Sequence, residues 1–295
     1  MLSVLIPVFH FDVRPLVKTL VEQCEAAGIV YEVRCLDDAS SAPFQEMNRD
    51  LGAEEKVNYQ ELSENVGRAK IRNILAQQAQ YDYLLFMDCD SQVNQSNYIQ
   101  QYLDQLVPGT LLYGGRSYAE TAPADPTLYF HWYYGTQREQ QSASQRQKAP
   151  YHSFMTNNFL IPKAIFLDIQ LDERLKQYGH EDTLFGLALA QKKVPLIHLD
   201  NPLEHIGLEK WDVFLRKSQQ ALENLRYLSR QRSDLDTRLL RFYRKIKAMK
   251  LGFLFLGIER LTARLIIKNL QSQRPSLWVF DLYKLLGLLK LDQID

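Results

Sequence analysis

Leu84-Leu85-Phe86-Met87-Asp88-Cys89-Asp90-Ser91 is a short apolar run that ends on two carboxylates spaced one residue apart. The run reads as a buried strand. An Asp-x-Asp pair at the carboxyl end of a strand lies where an open α/β sheet holds a metal and a phosphorylated ligand. A divalent cation bridging to a diphosphate would satisfy both acids, whereas the plain alternative is a solvated turn after a strand. The segments on either side decide between the two.

Upstream of this stretch, strand and helix patterns alternate. Ser3 to Val8 is a β-rich run, and Val13 to Ala27 places Leu16, Val17, Leu20, Val21 and Cys24 at helical spacing. Tyr31 to Leu36 predicts a second strand ending at Asp37-Asp38-Ala39-Ser40, followed by a helix over Phe44 to Leu51. Val57 to Glu61 is a third strand, then the turn Asn65-Val66-Gly67 opens a helix from Arg68 to Gln80. Such βα alternation implies a mainly parallel sheet covered by helices on both faces.

Downstream, Leu111 to Tyr118 and Phe154 to Ile161 read as strands, Glu181 to Gln191 as a helix, and Val194 to Leu199 as the last strand. Between them lies an aromatic cluster, Tyr129 to Tyr134, and a Gln141 to Gln147 stretch polar enough to be mobile. Beyond Lys210 the pattern is helical, with breaks expected near Gly257 and at Arg274-Pro275. The expected division is a body over residues 1–210 and a basic amphipathic helical tail over 211–295.

At 295 residues, 46% of them hydrophobic, the chain can bury a sizeable core. Its formal charge is zero, but residues 205–295 hold 18 Lys and Arg against 9 Asp and Glu, so the remainder is acidic by the same excess. That asymmetry suggests a body with a basic tail that meets an anionic surface, and nothing points to nucleic acid. Cys24, Cys35 and Cys89 are odd in number and lack CxxC spacing, which indicates neither a disulfide framework nor a zinc site. Met1 to Pro7 reads as a first strand and not as a signal peptide, so a cytoplasmic protein is expected.

Set in order, Ser3-Val4-Leu5-Ile6-Pro7, Asp37-Asp38-Ala39-Ser40, Asn65-x-Gly67-x-x-x-x-Arg72-Asn73, Asp88-x-Asp90, Gly179-His180-Glu181-Asp182 and His205 resemble the family 2 glycosyltransferases. The resemblance covers roughly residues 1 to 210. It implies the GT-A fold, a Rossmann-like, mainly parallel mixed sheet flanked by helices, here with a C-terminal helical extension. It also implies metal-assisted, inverting transfer of a hexosyl or N-acetylhexosaminyl group from a UDP-sugar to a hydroxyl of a glycan or lipid-linked acceptor, in the manner of bacterial surface polysaccharide synthesis.

On the same resemblance, Asp38 or its neighbour Asp37 accepts a hydrogen bond from the uracil ring, Pro7 and Val8 line the nucleotide pocket through backbone, and Arg72 with Arg68 reaches the base or the diphosphate. The local alternative for these acids is a helix N-cap or an Asx-turn. Asp88 faces the ribose or a metal-bound water, Asp90 binds Mn²⁺ or Mg²⁺ directly, and His205 is the candidate for a further ligand. Asp182 is the expected general base, with Glu181 holding a sugar. Trp132 and Tyr133 would stack on sugar rings, and Asn157 and Asn158 would donate amide hydrogen bonds. For each aromatic, ordinary core packing is the competing reading.

The tail intersperses Arg241, Arg244, Lys245, Lys247, Lys250, Arg260 and Arg264 with Phe242, Met249, Phe253 and Ile258. Peripheral contact with an anionic membrane, packing on the body, and a homodimer all fit that pattern. Two other functions stay open: a non-catalytic sugar-nucleotide scaffold or sensor, and a nucleotidyltransferase. The latter ordinarily carries a Gly-rich basic loop after the first strand, which Val8-Phe9-His10-Phe11-Asp12 is not.

Overall fold

The computed structural model describes residues 1–175, 178–232 and 234–292. Ten strands are present among them: β1 (Leu2–Val8), β2 (Tyr31–Asp37), β3 (Val57–Glu61), β4 (Tyr83–Met87), β5 (Ser91–Gln92), β6 (Leu111–Tyr113), β7 (Arg116–Ser117), β8 (Asn158–Pro162), β9 (Leu196–His198) and β10 (Leu203–His205). Seven form one sheet in the order β3-β2-β1-β4-β8-β6-β9. The first four are mutually parallel and β8 runs antiparallel to both its neighbours, so the sheet is mixed and mainly parallel, as the GT-A pattern requires. A second, three-stranded sheet has the order β5-β10-β7.

The large sheet is buried on both faces, which is why its strands are apolar nearly throughout. Successive side chains alternate between two cores. Leu85 and Met87 of β4 join Leu2, Val4, Ile6 and Val8 of β1 beneath the helix Arg14–Ala26, while Leu84 and Phe86 join Leu5 on the face covered by the helices Arg68–Gln78 and Glu181–Gln191. The expected helices over 13–27, 68–80 and 181–191 fall within two residues of those observed.

Three expectations need correction. Val194 to Leu199 is not the last strand, because β10 follows it and pairs with both β5 and β7. Gly257 does not break the tail; it lies inside the helix Gly252–Leu270, and the chain turns before it at Lys250, whose φ is 56°. Gln141 to Gln147 is held in place: Arg146, only 3% exposed, donates to the carbonyls of Gly114 (3.2 Å), Leu199 (2.7 Å) and Gln141.

The chain forms two compact units. The first comprises Met1–Ala119, Arg138–Lys176 and Glu181–Gly207 and contains both sheets. The second comprises Glu120–Gln137, Gln177–His180 and Leu208–Asp295. It is helical, with Phe130, Leu215, Ile266, Leu270, Phe280 and Leu286 at its core. Among the described residues no helix is long and apolar enough to cross a membrane.

Candidate functional site

The carboxyl ends of β1, β2 and β4 lie along one edge of the sheet, and the acids that follow β2 and β4 gather there. Asp37, fully buried, accepts from the Ser40 amide (2.7 Å) and the Tyr59 hydroxyl (3.3 Å), so it makes the local turn. Asp38 reaches instead to the start of the next helix, accepting from the amides of Val66 (2.7 Å) and Gly67 (3.1 Å). Gly67 holds φ 87°, a conformation costly for any residue with a Cβ, and this turns its amide toward the carboxylate. Burial raises the Asp38 carboxyl and the two amides counteract it. With one partner on each oxygen, Asp38 keeps lone pairs for a further donor. The Val8 carbonyl accepts from the Asp38 amide at 2.8 Å.

Asp88 is ringed by arginines. Arg72, whose side chain is 3% exposed, donates to its Oδ1; Arg116 donates to Oδ2 at 3.1 Å, and Arg68 lies 3.8 Å away. Arg68 also pairs with Glu181 Oε1 at 2.9 Å, and Arg116 donates to Glu139 at 3.3 Å. The Tyr118 hydroxyl donates a hydrogen bond to the same Glu139 oxygen, and its ring stands edge-on to His205 with centroids 5.6 Å apart. Residues 68, 72, 88, 181 and 205 thus belong to one connected network.

The small sheet brings Asp90 and His205 together. His205 pairs with Ser91, and the Ile206 amide donates to the Asp90 carbonyl at 2.9 Å. Gly207 packs its backbone against the Asp90 carboxylate so closely that a Cβ there would overlap it. Asp90 Oδ1 is buried without a hydrogen-bond partner, 3.5 Å from His205 Nδ1. Burial raises this carboxyl, but His205, Arg116 and Arg68 together bring it below the usual carboxylate range. A charged oxygen of that kind beside an imidazole nitrogen fits a divalent cation that keeps most of its ligands as water and phosphate. Among the described residues no group of three or more His, Cys, Asp or Glu side chains forms a metal cage.

Glu181 and Asp182 open the helix Glu181–Gln191. Asp182 Oδ1 accepts from the Thr183 amide at 2.7 Å. Although the residue keeps some solvent contact, the protein packed around its carboxyl desolvates it, and with the Glu181 charge alongside the pKa is pushed up to about 7.

Of the residues expected to meet a sugar, Asn157 accepts from the Tyr113 hydroxyl at 3.2 Å. Asn158 is a correction. Its oxygen accepts from Tyr98 and Tyr102, both at 2.7 Å, and its amide nitrogen donates to Gly115 (2.8 Å) and Asn201 (2.9 Å), leaving no atom for a ligand. Trp132 and Tyr133 lie on the helix Tyr129–Tyr134 of the second unit, where both pack against the Tyr129 ring. Arg116, Tyr118, Glu139 and Gly207 carry no local sequence signal. They join the site through strand pairing and close packing distant in sequence.

Residues 3–166 match the family model described as glycosyl transferase family 2, which is more than half of the chain. The protein belongs to that family. The matched segment carries the acids of β2 and β4 and the arginine ring around Asp88. Among solved structures, 304 chains match. S. aureus TarS is 16% identical with a TM-score of 0.51, the match covering 99% of this chain and 55% of that one, so this chain spans about half the length of that relative. A shorter form, S. aureus TarS 1-349, is 16% identical with a TM-score of 0.49, covering 100% of this chain and 92% of the other. At this identity the likeness concerns the fold. Comparison with curated proteins gives no match.

Proposed function

We propose that this family 2 glycosyltransferase moves a hexosyl or N-acetylhexosaminyl group from a UDP-sugar to a hydroxyl of a glycan or lipid-linked acceptor in a single inverting displacement, and that its product is part of a surface polysaccharide. The observation that carries this reading is Asp182. A carboxylate poised near neutral pH, one residue from an acid tied through Arg68 to the strand-end cluster, has the properties of a general base.

In this reading Asp182 accepts the proton of the acceptor hydroxyl as its oxygen attacks the anomeric carbon. Glu181, fixed by Arg68, holds a sugar hydroxyl. Asp38, or Asp37 behind it, accepts from the uracil imide, and Pro7 and Val8 border the base. Arg72 and Arg116 engage both oxygens of Asp88, which favours a place for that acid beside the ribose over direct contact with the ion. Asn157 and the ring faces of Trp132 and Tyr133 are the remaining candidates for the acceptor. Asp90 and His205 would hold Mn²⁺ or Mg²⁺, which when bound supplies positive charge to the departing diphosphate. One displacement with one base inverts the anomeric centre, so an α-linked donor gives a β-linked product.

The test is Asp182→Asn. Transfer should fall by roughly 10²–10⁴-fold while UDP binding, read by calorimetry, is retained. Unchanged turnover would reject Asp182 as the base.

A further inference from the structure

The second unit leaves an apolar surface uncovered. In the helix Gly252–Leu270, Leu256, Ile266 and Leu270 face inward and are buried. At about 100° per residue the opposite side carries Leu254, Ile258, Leu261 and Leu265, spaced i, i+4, i+7 and i+11 as a single stripe. Leu261 is 85% exposed and Leu265 66%, and Phe253 beside them is 76% exposed. Arg260, Arg264 and Lys268, spaced i, i+4 and i+8, run exposed along the flank of the stripe. Trp278, at the start of the next helix, Leu277–Leu291, is 84% exposed. Phe242 and Met249 of the preceding helical segment are exposed as well.

Along this stretch of the chain the charge is nearly all of one sign, with Arg241 and Lys247 paired by Asp236 and Asp292 from outside it. From Arg238 to Arg274 the chain holds ten Lys and Arg and one acid, Glu259, which Lys290 pairs at 2.6 Å. A soluble chain that leaves this many large apolar side chains in water has a partner for them. A second copy is a poor one, because a two-fold interface would press the same basic residues against each other. An anionic lipid surface satisfies both features at once: acyl chains take the apolar stripe, headgroups take the arginines and lysines, and an indole suits the boundary between them. The helix is not long and apolar enough to cross a membrane, so the geometry is that of a helix lying in the interface.

We infer that the stripe Leu254, Ile258, Leu261 and Leu265, with Arg260, Arg264 and Lys268 along its edge and Trp278 nearby, docks the protein on an anionic lipid bilayer. This surface is independent of the residues assigned to sugar transfer, so its failure and theirs are separable.

Flotation of the full chain with phosphatidylcholine vesicles, with and without phosphatidylglycerol, tests the inference. The wild type should float with the anionic vesicles, release at high salt and ignore the zwitterionic ones. Two variants, Leu261→Gln/Leu265→Gln and Arg260→Gln/Arg264→Gln/Lys268→Gln, should each lose at least about tenfold in vesicle affinity. Their melting temperatures should hold, because the changed side chains are exposed. The inference is overturned if the wild type does not float, if it floats equally with neutral vesicles, or if both variants bind as well as it does. A wild-type dimer that Leu261→Gln/Leu265→Gln converts to monomer, with no flotation, would assign the stripe to a second copy.

Discussion

At Asp182 burial and the Glu181 charge act in the same direction, and both oppose ionisation of the carboxyl. The folded chain therefore keeps that proton to about pH 7, whereas an unfolded Asp loses it near 3.8. Stability linked to this group is fully present below the unfolded value and is lost as pH rises through the folded one. Urea unfolding of the wild type should show this decline, and Asp182→Asn should flatten it and be the more stable protein at pH 8 by on the order of 1–3 kcal/mol. An identical pH dependence in the two proteins would remove Asp182 from the set of desolvated acids. Asn158 shows the opposite outcome at the same scale. Its residue type suggested a ligand contact, but two tyrosine hydroxyls and two carbonyls occupy it, and nothing in the neighbouring sequence announces those partners.

The helix Ala143–Arg146 is only four residues long, and its neighbourhood is rich in Gln and Ser. Its main anchor is the buried Arg146 guanidinium, which binds three carbonyls, takes His198 Nδ1 as an acceptor at 3.1 Å, and lies over the Tyr113 ring. Burial lowers the Arg146 pKa against the opposing pull of Tyr113 and Asp200, a cost tolerated because so many acceptors surround it. Arg146→Met should destabilise the protein by about 2–4 kcal/mol, since it strands those carbonyls, and should expose residues 141–147 to limited proteolysis. Wild-type resistance in the variant would mean the segment is held by other contacts. Composition misreads such an element because a few long-range anchors, with the Ala143 amide on Asp200 and the Gln147 side chain between Leu196 and His198 joining Arg146, outweigh a polar sequence. The strand β10 escaped for a related reason: three residues show no periodicity, and its partners β5 and β7 lie far away in sequence. Gly257 misled in the other direction, because one exposed helical glycine costs only about 1 kcal/mol and the flanking residues carry the helix through it.

Over the whole chain, a ligand that binds only the folded state raises its melting point by mass action. UDP with Mn²⁺ at about a hundred times its dissociation constant should add about 3 kcal/mol and several degrees to the melting temperature. GDP and dTDP should add less, and Asp90→Asn should abolish the manganese dependence while leaving the shift from UDP alone. Equal shifts with all three nucleotides would reject the uracil assignment to Asp38 and Asp37. The sequence by itself determined the alternation of strand and helix, the family, and the acids that cluster at the strand ends, because hydrophobic periodicity and strand-terminal motifs are local properties of the chain. Only the tertiary structure decided that Arg72 and Arg116 engage Asp88, that Asp90 meets His205, that Asn158 is spent on the core, and which side of Gly252–Leu270 stays in water. Those outcomes depend on side chains brought together from distant strands, and on which helix face finds a neighbour, neither of which a local pattern can encode.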